Sequence, residues 1–132
     1  MERNRPGYRV PYRGEVWTAQ LGRHPNTSIQ EGCRPVLIVS NDKDNHTSNT
    51  VVVLPMTGQI KRTELPCHVE LKREELTYFN AREHLPVSMV LAEQITTIAK
   101  DDLGERIGRV MDEGKVREIE GAIMSELGIR EK

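Results

Sequence analysis

Two apolar runs that lie close together in the sequence constrain the fold more than any other feature of this chain. The first is PVLIVS at residues 35–40, and the second is TVVVLPM at residues 50–56. Both are short and rich in β-branched residues, which is typical of buried strands. The polar stretch NDKDNHTSN between them is rich in turn formers and is predicted to be a hairpin connection. We therefore expect two neighbouring buried strands.

Further strands are predicted on both sides of this pair. GEVWTAQL at 14–21 alternates apolar and polar residues, and CHVEL at 67–71 and SMVLAEQITTIA at 88–99 predict a fourth and a fifth strand. Residues 22–33 contain two glycines, a proline and several turn formers, which predicts a long loop. The polar segment 72–86 is predicted to loop between the last two strands.

The pattern changes after Lys100, where apolar residues recur at helical spacing. These residues are Val116, Ile119, Ile123 and Leu127. Asp112 can cap the start of a helix and Gly128 can end it, so a helix is predicted over 112–128, with a shorter helical turn at 100–106. Strands followed by a final helix predict a mainly β, α+β fold: a small antiparallel barrel or curled sheet with one helix packed on it.

The length of 132 residues suits a single domain, 1–132, with one core. Its net charge of −1 argues neither for nor against an anionic ligand, although a basic arm at 1–12 carries several arginines. Two cysteines are too few for a disulfide framework. No signal peptide or membrane span is evident, so we expect a cytoplasmic location without membrane association.

One polar side chain stands at the end of each central strand. Arg34 directly precedes the first apolar run and Thr57 directly follows the second, so neighbouring strands can present both to a common point. A guanidinium is a planar, permanently charged fork that matches phosphate, and a threonine hydroxyl can add a hydrogen bond. The pair can therefore support phosphate chemistry, whereas a solvated strand edge and a turn threonine are the commoner interpretation of such residues taken singly.

Other chemistries have weaker support in the sequence. It has no phosphate-binding glycine loop, paired-cysteine motif or spaced histidine pair, so neither a metal nor a cofactor is expected. The four histidines are scattered, and His68, on a predicted strand, is retained as a minor candidate base. Cys33 adjoins Arg34 but has no neighbouring histidine, which favours a packing thiol over a nucleophile.

The order of five sequence blocks closely resembles the MazF/PemK toxins over residues 12–128. The blocks are RGEVW, GCRPVLIVSND, TVVVLPMT, LPCHVEL and SMVLAEQITTI, followed by IGRV and the final helix. The resemblance implies a small SH3-like barrel of the MazF/PemK–CcdB type. It also implies a homodimeric, metal-independent endoribonuclease that cuts single-stranded RNA, including mRNA, arrests growth and is neutralised by a cognate MazE-like antitoxin.

The same resemblance assigns roles to individual residues. Arg34 and Thr57 fall on the family's catalytic positions. Substrate contacts are implied for Ser28, Gln30, Ser88, Glu93 and Gln94. The chain departs from the family pattern at Ile29, where relatives often have glutamate, so any acid–base role of that glutamate does not transfer. A non-hydrolytic CcdB-like gyrase poison and a catalytically silent RNA-binding module are the alternative functions.

Overall fold

The computed structural model describes residues 10–80 and 85–130. Within these ranges the elements in chain order are β1 (Glu15–Gln20), β2 (Cys33–Ile38), α1 (Asp42–Thr47), β3 (Thr50–Thr57), β4 (His68–Leu71), β5 (Leu76–Tyr78), β6 (Ser88–Leu91), β7 (Thr96–Ala99), β8 (Leu103–Val110) and α2 (Glu113–Leu127). Single-turn 3-10 helices lie at Arg73–Glu75, Ala92–Gln94 and Lys100–Asp102. No helix in these ranges is long and apolar enough to cross a membrane. Most of the arm predicted at 1–12 lies outside the described residues.

The strands form one antiparallel sheet whose two ends lie close together. The order is β4-β6-β3-β2-β1-β8-β5, and β7 pairs with β3 beside this path. The end strands β4 and β5 are consecutive in the chain and are joined by residues 72–75 alone. Such a short link requires the sheet to curl until its edges approach each other. The predicted curled, mainly β fold is confirmed.

The central strands are buried on both faces, which explains their uninterrupted apolar sequences. Leu37 and Leu54 lie in a core formed with the last helix, α2. Their neighbours along the strands, Val36, Ile38 and Val53, point the other way into a second cluster built around Trp17. A strand with one solvated face would alternate apolar and polar residues, whereas these two strands do not.

Strand β3 changes partner near its end. Its first half pairs with β7 as far as Val53, and its last two residues, Met56 and Thr57, pair with β6. Pro55 lies between these two ladders. Because proline has no backbone N–H, this residue has no donor that would need a partner in the gap. The 3-10 turn Ala92–Gln94 joins β6 to β7 and therefore lies beside this gap.

The predicted connection between the central strands was wrong in one respect. β2 and β3 do pair antiparallel, but residues 41–49 contain the helix α1 rather than turns alone. The Asn41 side chain caps this helix by accepting a hydrogen bond from the Asp44 N–H at 2.8 Å. Asn45 is fully buried and donates to the Ser40 carbonyl at 2.9 Å. Turn-forming residues thus act here as a cap and a buried anchor.

Three further expectations need correction. The segment 72–86, predicted to be a loop, contains a 3-10 turn and β5. The strand predicted at 88–99 is divided into β6 and β7 by the 3-10 turn between them. The helical turn predicted at 100–106 covers only Lys100–Asp102, and β8 follows it. In each case the strand hydrogen bonds come from distant partners that a local pattern does not reveal.

The final helix is confirmed with both of its caps. The Asp112 carboxylate accepts a hydrogen bond from the Lys115 N–H at 2.9 Å. Gly128 ends the helix in the left-handed conformation at φ 71°, and the Ile129 N–H then bonds to the Met124 carbonyl at 2.8 Å. Three of the four apolar residues predicted to line the helix face pack on the core together with Ala122: Val116, Ile119 and Ile123. The fourth, Leu127, is exposed at the last position of the helix.

Candidate active site

The register of the central strands relates Arg34 to Thr57. Val36 and Pro55 form the last antiparallel pair of β2 and β3, and Arg34 and Thr57 each lie two residues beyond that pair on their own strand. Both residues therefore lie at the same end of neighbouring strands. The Arg34 side chain is exposed, and its Nε donates to the Glu31 carbonyl at 3.1 Å. This bond engages Nε alone, so the two terminal nitrogens of the exposed side chain remain available to a ligand.

Thr57 lies in a groove of about 630 Å³, called here the Thr57 groove. Its hydroxyl oxygen accepts a hydrogen bond from the Gln59 N–H at 3.1 Å, so the hydroxyl proton remains for donation to a ligand. The groove is lined by Ser28, Gln30, Thr57, Gln59, Lys61, Arg62, Leu65, His68, Met89, Leu91, Glu93 and Gln94. Arg34 stands at the end of the adjacent strand and is not part of this lining.

A second groove of about 650 Å³ adjoins the first and follows β7 and the start of the long loop. Three residues line both grooves: Gln30, Glu93 and Gln94. Together the grooves form an extended surface on which a polymer chain can lie, whereas a small molecule would fill one pocket.

The 22–32 loop is closed at its base and held at its tip. At the base, the Leu21 N–H bonds to the Gly32 carbonyl, and the Gly32 N–H bonds to the Gly22 carbonyl, both at 2.9 Å. At the tip, the Gln94 side chain accepts from the Gln30 N–H and donates to the Ser28 carbonyl, both at 2.8 Å. Gln94 therefore fixes the position of the loop relative to the grooves.

His68 and Glu93 form an ion pair in the Thr57 groove. The His68 Nε2 lies 2.9 Å from a Glu93 oxygen, and its Nδ1 lies 2.9 Å from the Arg62 carbonyl. Burial of the ring lowers the pKa of His68, but the hydrogen bonds to Glu93 and to this carbonyl outweigh it and raise the pKa above its usual value. The raised pKa extends the charged form of the ring to higher pH, and in that form the ring can attract phosphate but cannot accept a proton.

Cys67 lies beside this pair. Burial raises the pKa of its thiol, and the carboxylates of Glu93 and Glu126 raise it further. The thiol therefore stays protonated and is a weak nucleophile. Cys33, the other cysteine, is exposed at the start of β2.

The structure brings together most, but not all, of the residues implied as substrate contacts. Ser28, Gln30, Glu93 and Gln94 line the Thr57 groove. Ser88 does not, because the residue is only 3% exposed and its hydroxyl donates to the Pro86 carbonyl at 2.9 Å.

Sequence reasoning missed several groups that line the groove. Lys61 and Arg62 add cationic side chains, and Arg62 is paired with the exposed Glu64 at 2.8 Å. The ion pair of His68 with Glu93 was also missed, because its members are distant in the sequence. A cluster of basic residues just after the third strand was the one available signal.

Comparison with known proteins places these features in a family. The family model for the PemK-like, MazF-like toxin of type II toxin–antitoxin systems matches residues 12–127. A Staphylococcus saprophyticus protein named Endoribonuclease MazF is 37% identical over 117 residues, which are 89% of this chain and 91% of that protein.

Solved structures agree. An endoribonuclease in complex with its cognate antitoxin, from a mycobacterial species, is 27% identical with a TM-score of 0.72, and the match covers 92% of this chain and 99% of that one. MazF from Deinococcus radiodurans, at 19% identity, shares the fold with a TM-score of 0.67 over 92% of this chain and 99% of its own. With the family model spanning nearly all the described residues, the chain is a member of the PemK-like, MazF-like toxin family.

Proposed function

We propose that this protein is an endoribonuclease that cuts single-stranded RNA, with Arg34 and Thr57 carrying the reaction. The observation that supports this most is the strand register, which sets a guanidinium and a hydroxyl at the same end of neighbouring strands beside an extended groove. The name of the Staphylococcus saprophyticus relative, Endoribonuclease MazF, supports the same activity.

The reaction uses a nucleophile that the substrate supplies. The ribose 2′-OH loses its proton and attacks the adjacent phosphorus, a P–O2′ bond forms, the P–O5′ bond breaks, and the departing 5′-oxygen takes up a proton, so that no net proton is consumed. The products carry a 2′,3′-cyclic phosphate and a 5′-hydroxyl, and DNA is inert because it lacks the 2′-OH. Since the nucleophile is part of the RNA, divalent ions are not required for its delivery.

Arg34 acts by stabilising charge. Its guanidinium stays protonated at any usable pH and so cannot serve as a conventional base. Its terminal nitrogens donate to the phosphoryl oxygens, on which negative charge builds up in the transition state. Thr57 donates its hydroxyl proton to the same phosphate, and the Gln59 N–H holds the hydroxyl oxygen in place.

The grooves account for binding of the rest of the RNA strand. Lys61, together with the His68 ring when it is protonated, attracts the phosphate backbone to the Thr57 groove. Gln94 and Glu93 offer amide and carboxylate groups that can form hydrogen bonds with the edges of RNA bases. The 22–32 loop, which Gln94 holds in place, then covers the RNA strand.

The proposed partners are a second copy of this chain and a cognate antitoxin. The mycobacterial relative is an endoribonuclease in complex with its antitoxin, which supports the same pairing here. A site that holds phosphate beside Arg34 also accepts carboxylates, so an acidic antitoxin segment can block it by mimicry. Light scattering measures the dimer, and cleavage with and without the antitoxin measures the block.

The test is incubation of the purified protein with a long unstructured RNA in EDTA, with the ends of the fragments mapped. Cleavage with cyclic phosphate ends is expected. Arg34→Ala and Thr57→Ala should each lower the rate by about a hundredfold or more, the effect of losing one transition-state contact. Cys33→Ser, next to Arg34 in the sequence and exposed, is the matched control and should cut at the parental rate.

Several outcomes would contradict the proposal. Fragments with 3′-hydroxyl ends, or cleavage that disappears in EDTA and returns with a divalent ion, exclude the mechanism. RNA that is bound in a salt-sensitive manner but stays intact indicates the silent binding module instead. Binding to gyrase with no effect on RNA indicates the non-hydrolytic poison.

A further inference from the structure

We propose that Cys67, His68 and Glu93 form a Zn²⁺ site at the edge of the Thr57 groove, and that zinc bound there inhibits RNA cleavage. One donor atom from each of the three side chains lies within 4.8 Å of the other two. A tetrahedral zinc ion with bonds of about 2.0–2.3 Å holds its ligand atoms roughly 3.5 Å apart. A small contraction of the cluster therefore completes three of four ligand positions.

The histidine is already oriented as a metal ligand. Its Nδ1 lies 2.9 Å from the Arg62 carbonyl, which holds the proton on that nitrogen and points Nε2 toward Glu93. A hydrogen bond of this kind to a backbone carbonyl is the usual support of zinc-bound histidines. The same carbonyl also accepts from the Leu65 N–H at 3.1 Å, so its position is fixed independently of the histidine.

The donor set favours zinc over the common hard cations. A thiolate, an imidazole and a carboxylate suit Zn²⁺, whereas Mg²⁺ and Ca²⁺ prefer oxygen ligands alone. The Cys67 thiol is protonated in the free protein, and it would lose this proton on coordination because a metal-bound thiol is deprotonated. His68 and Glu93 line the Thr57 groove, so a water molecule from the groove could complete the coordination, as in zinc sites with three protein ligands.

The inhibitory effect rests on the proposed ribonuclease function, whereas zinc binding does not. His68 and Glu93 both line the Thr57 groove, and a bound ion would engage their side chains and neutralise the carboxylate. RNA would then lose these contacts. The protein would be active in EDTA and inhibited by zinc, which separates a regulatory ion from a catalytic one.

The two cysteines provide a matched pair of variants. Cys67→Ser removes the soft ligand from the cluster, and Cys33→Ser removes an exposed thiol elsewhere. Neither residue lines the Thr57 groove. His68→Gln serves as a second test of the cluster, because it removes the imidazole while Cys67 remains.

Metal binding is measured first, without RNA, by titrating the metal-free protein with Co²⁺ and then competing with Zn²⁺. We expect one cobalt per chain with a thiolate-to-cobalt absorption band, displaced by zinc. The absorption band should persist in Cys33→Ser and disappear in Cys67→Ser. In His68→Gln the affinity for cobalt should fall by about tenfold or more. A wild-type protein that binds no cobalt, or a Cys67→Ser protein with an unchanged spectrum, overturns the site.

RNA cleavage is measured second. Zinc should inhibit the wild type and Cys33→Ser reversibly, with EDTA restoring the rate, and should inhibit Cys67→Ser at least about tenfold more weakly. Equal inhibition of all three proteins overturns the regulatory role. A protein that binds zinc as described but cuts no RNA under any condition overturns the proposed function while the zinc site stands.

Discussion

Replacing Gln94 tests how the 22–32 loop is held beside the grooves. Gln94→Ala removes the acceptor of the Gln30 N–H and the donor to the Ser28 carbonyl, two hydrogen bonds of 2.8 Å each. A hydrogen bond contributes about 0.5–1.5 kcal/mol net, so the pair stabilises the docked loop by about 1–3 kcal/mol. The equilibrium between docked and undocked loop should therefore shift by about 5- to 150-fold.

Amide hydrogen exchange of Gln30, followed by NMR, measures this shift directly. The exchange rate should rise by that factor in Gln94→Ala. In Gln94→Glu it should rise less, because the remaining acceptor still faces the Gln30 N–H. The KM for RNA cleavage should rise, because the loop no longer covers the RNA strand. The free energy of global unfolding should change little.

The matched control is Gln59→Ala. Gln59 lines the same groove, and its side chain makes no hydrogen bond to the loop within the described residues. Its loss should leave the exchange of Gln30 unchanged. If Gln94→Ala also leaves that exchange within about twofold of the wild type, the side chain does not hold the loop and the reasoning fails.

Two further predictions concern stability, and urea denaturation measures both. Glu15→Ala should lower the free energy of unfolding by about 2–3 kcal/mol, because Glu15 is 2% exposed and pairs with Arg106 at 3.3 Å; a fully buried pair would cost more, but Arg106 is 30% exposed. An unchanged midpoint would show that this pair contributes nothing. Gly108→Ala should destabilise by about 1–3 kcal/mol, since a Cβ there would lie 2.6 Å from the Thr77 carbonyl oxygen. Gly121→Ala, in the open middle of α2, is its control and should stabilise by about 0.5–1 kcal/mol; destabilisation by both would refute the steric argument.

The sequence predicted those parts of the fold whose signals are local. The two central strands were visible because burial on both faces leaves only apolar residues at 35–39 and 51–56. The final helix was visible because Asp112 and Gly128 cap it at positions the apolar spacing also indicates. Arg34 and Thr57 stood out for a related reason, since each is the first polar side chain at the end of a buried run.

The parts that were missed depend on contacts between distant segments. β8 carries Glu105, Arg106 and Arg109, which do not resemble a strand in isolation. In the structure Arg106 stacks on the Phe79 ring at 4.2 Å and pairs with Glu15, so its charge is accommodated by other elements. The contact between His68 and Glu93 also depends on distant segments, because the pairing of β4 with β6 brings the two residues together.

The pairing of β1 with β8 has a consequence for how the protein is made. β1 is synthesised before the other strands of the sheet, yet one of its edges is covered by β8, which runs from Leu103 to Val110. At about 5–20 residues per second, the ribosome needs roughly 5–20 seconds to supply that partner. During this interval β1 exposes an unpaired strand edge beside Trp17, a surface prone to aggregation. The sheet is therefore completed late in synthesis, and we expect chaperones to bind the nascent chain before β8 is available.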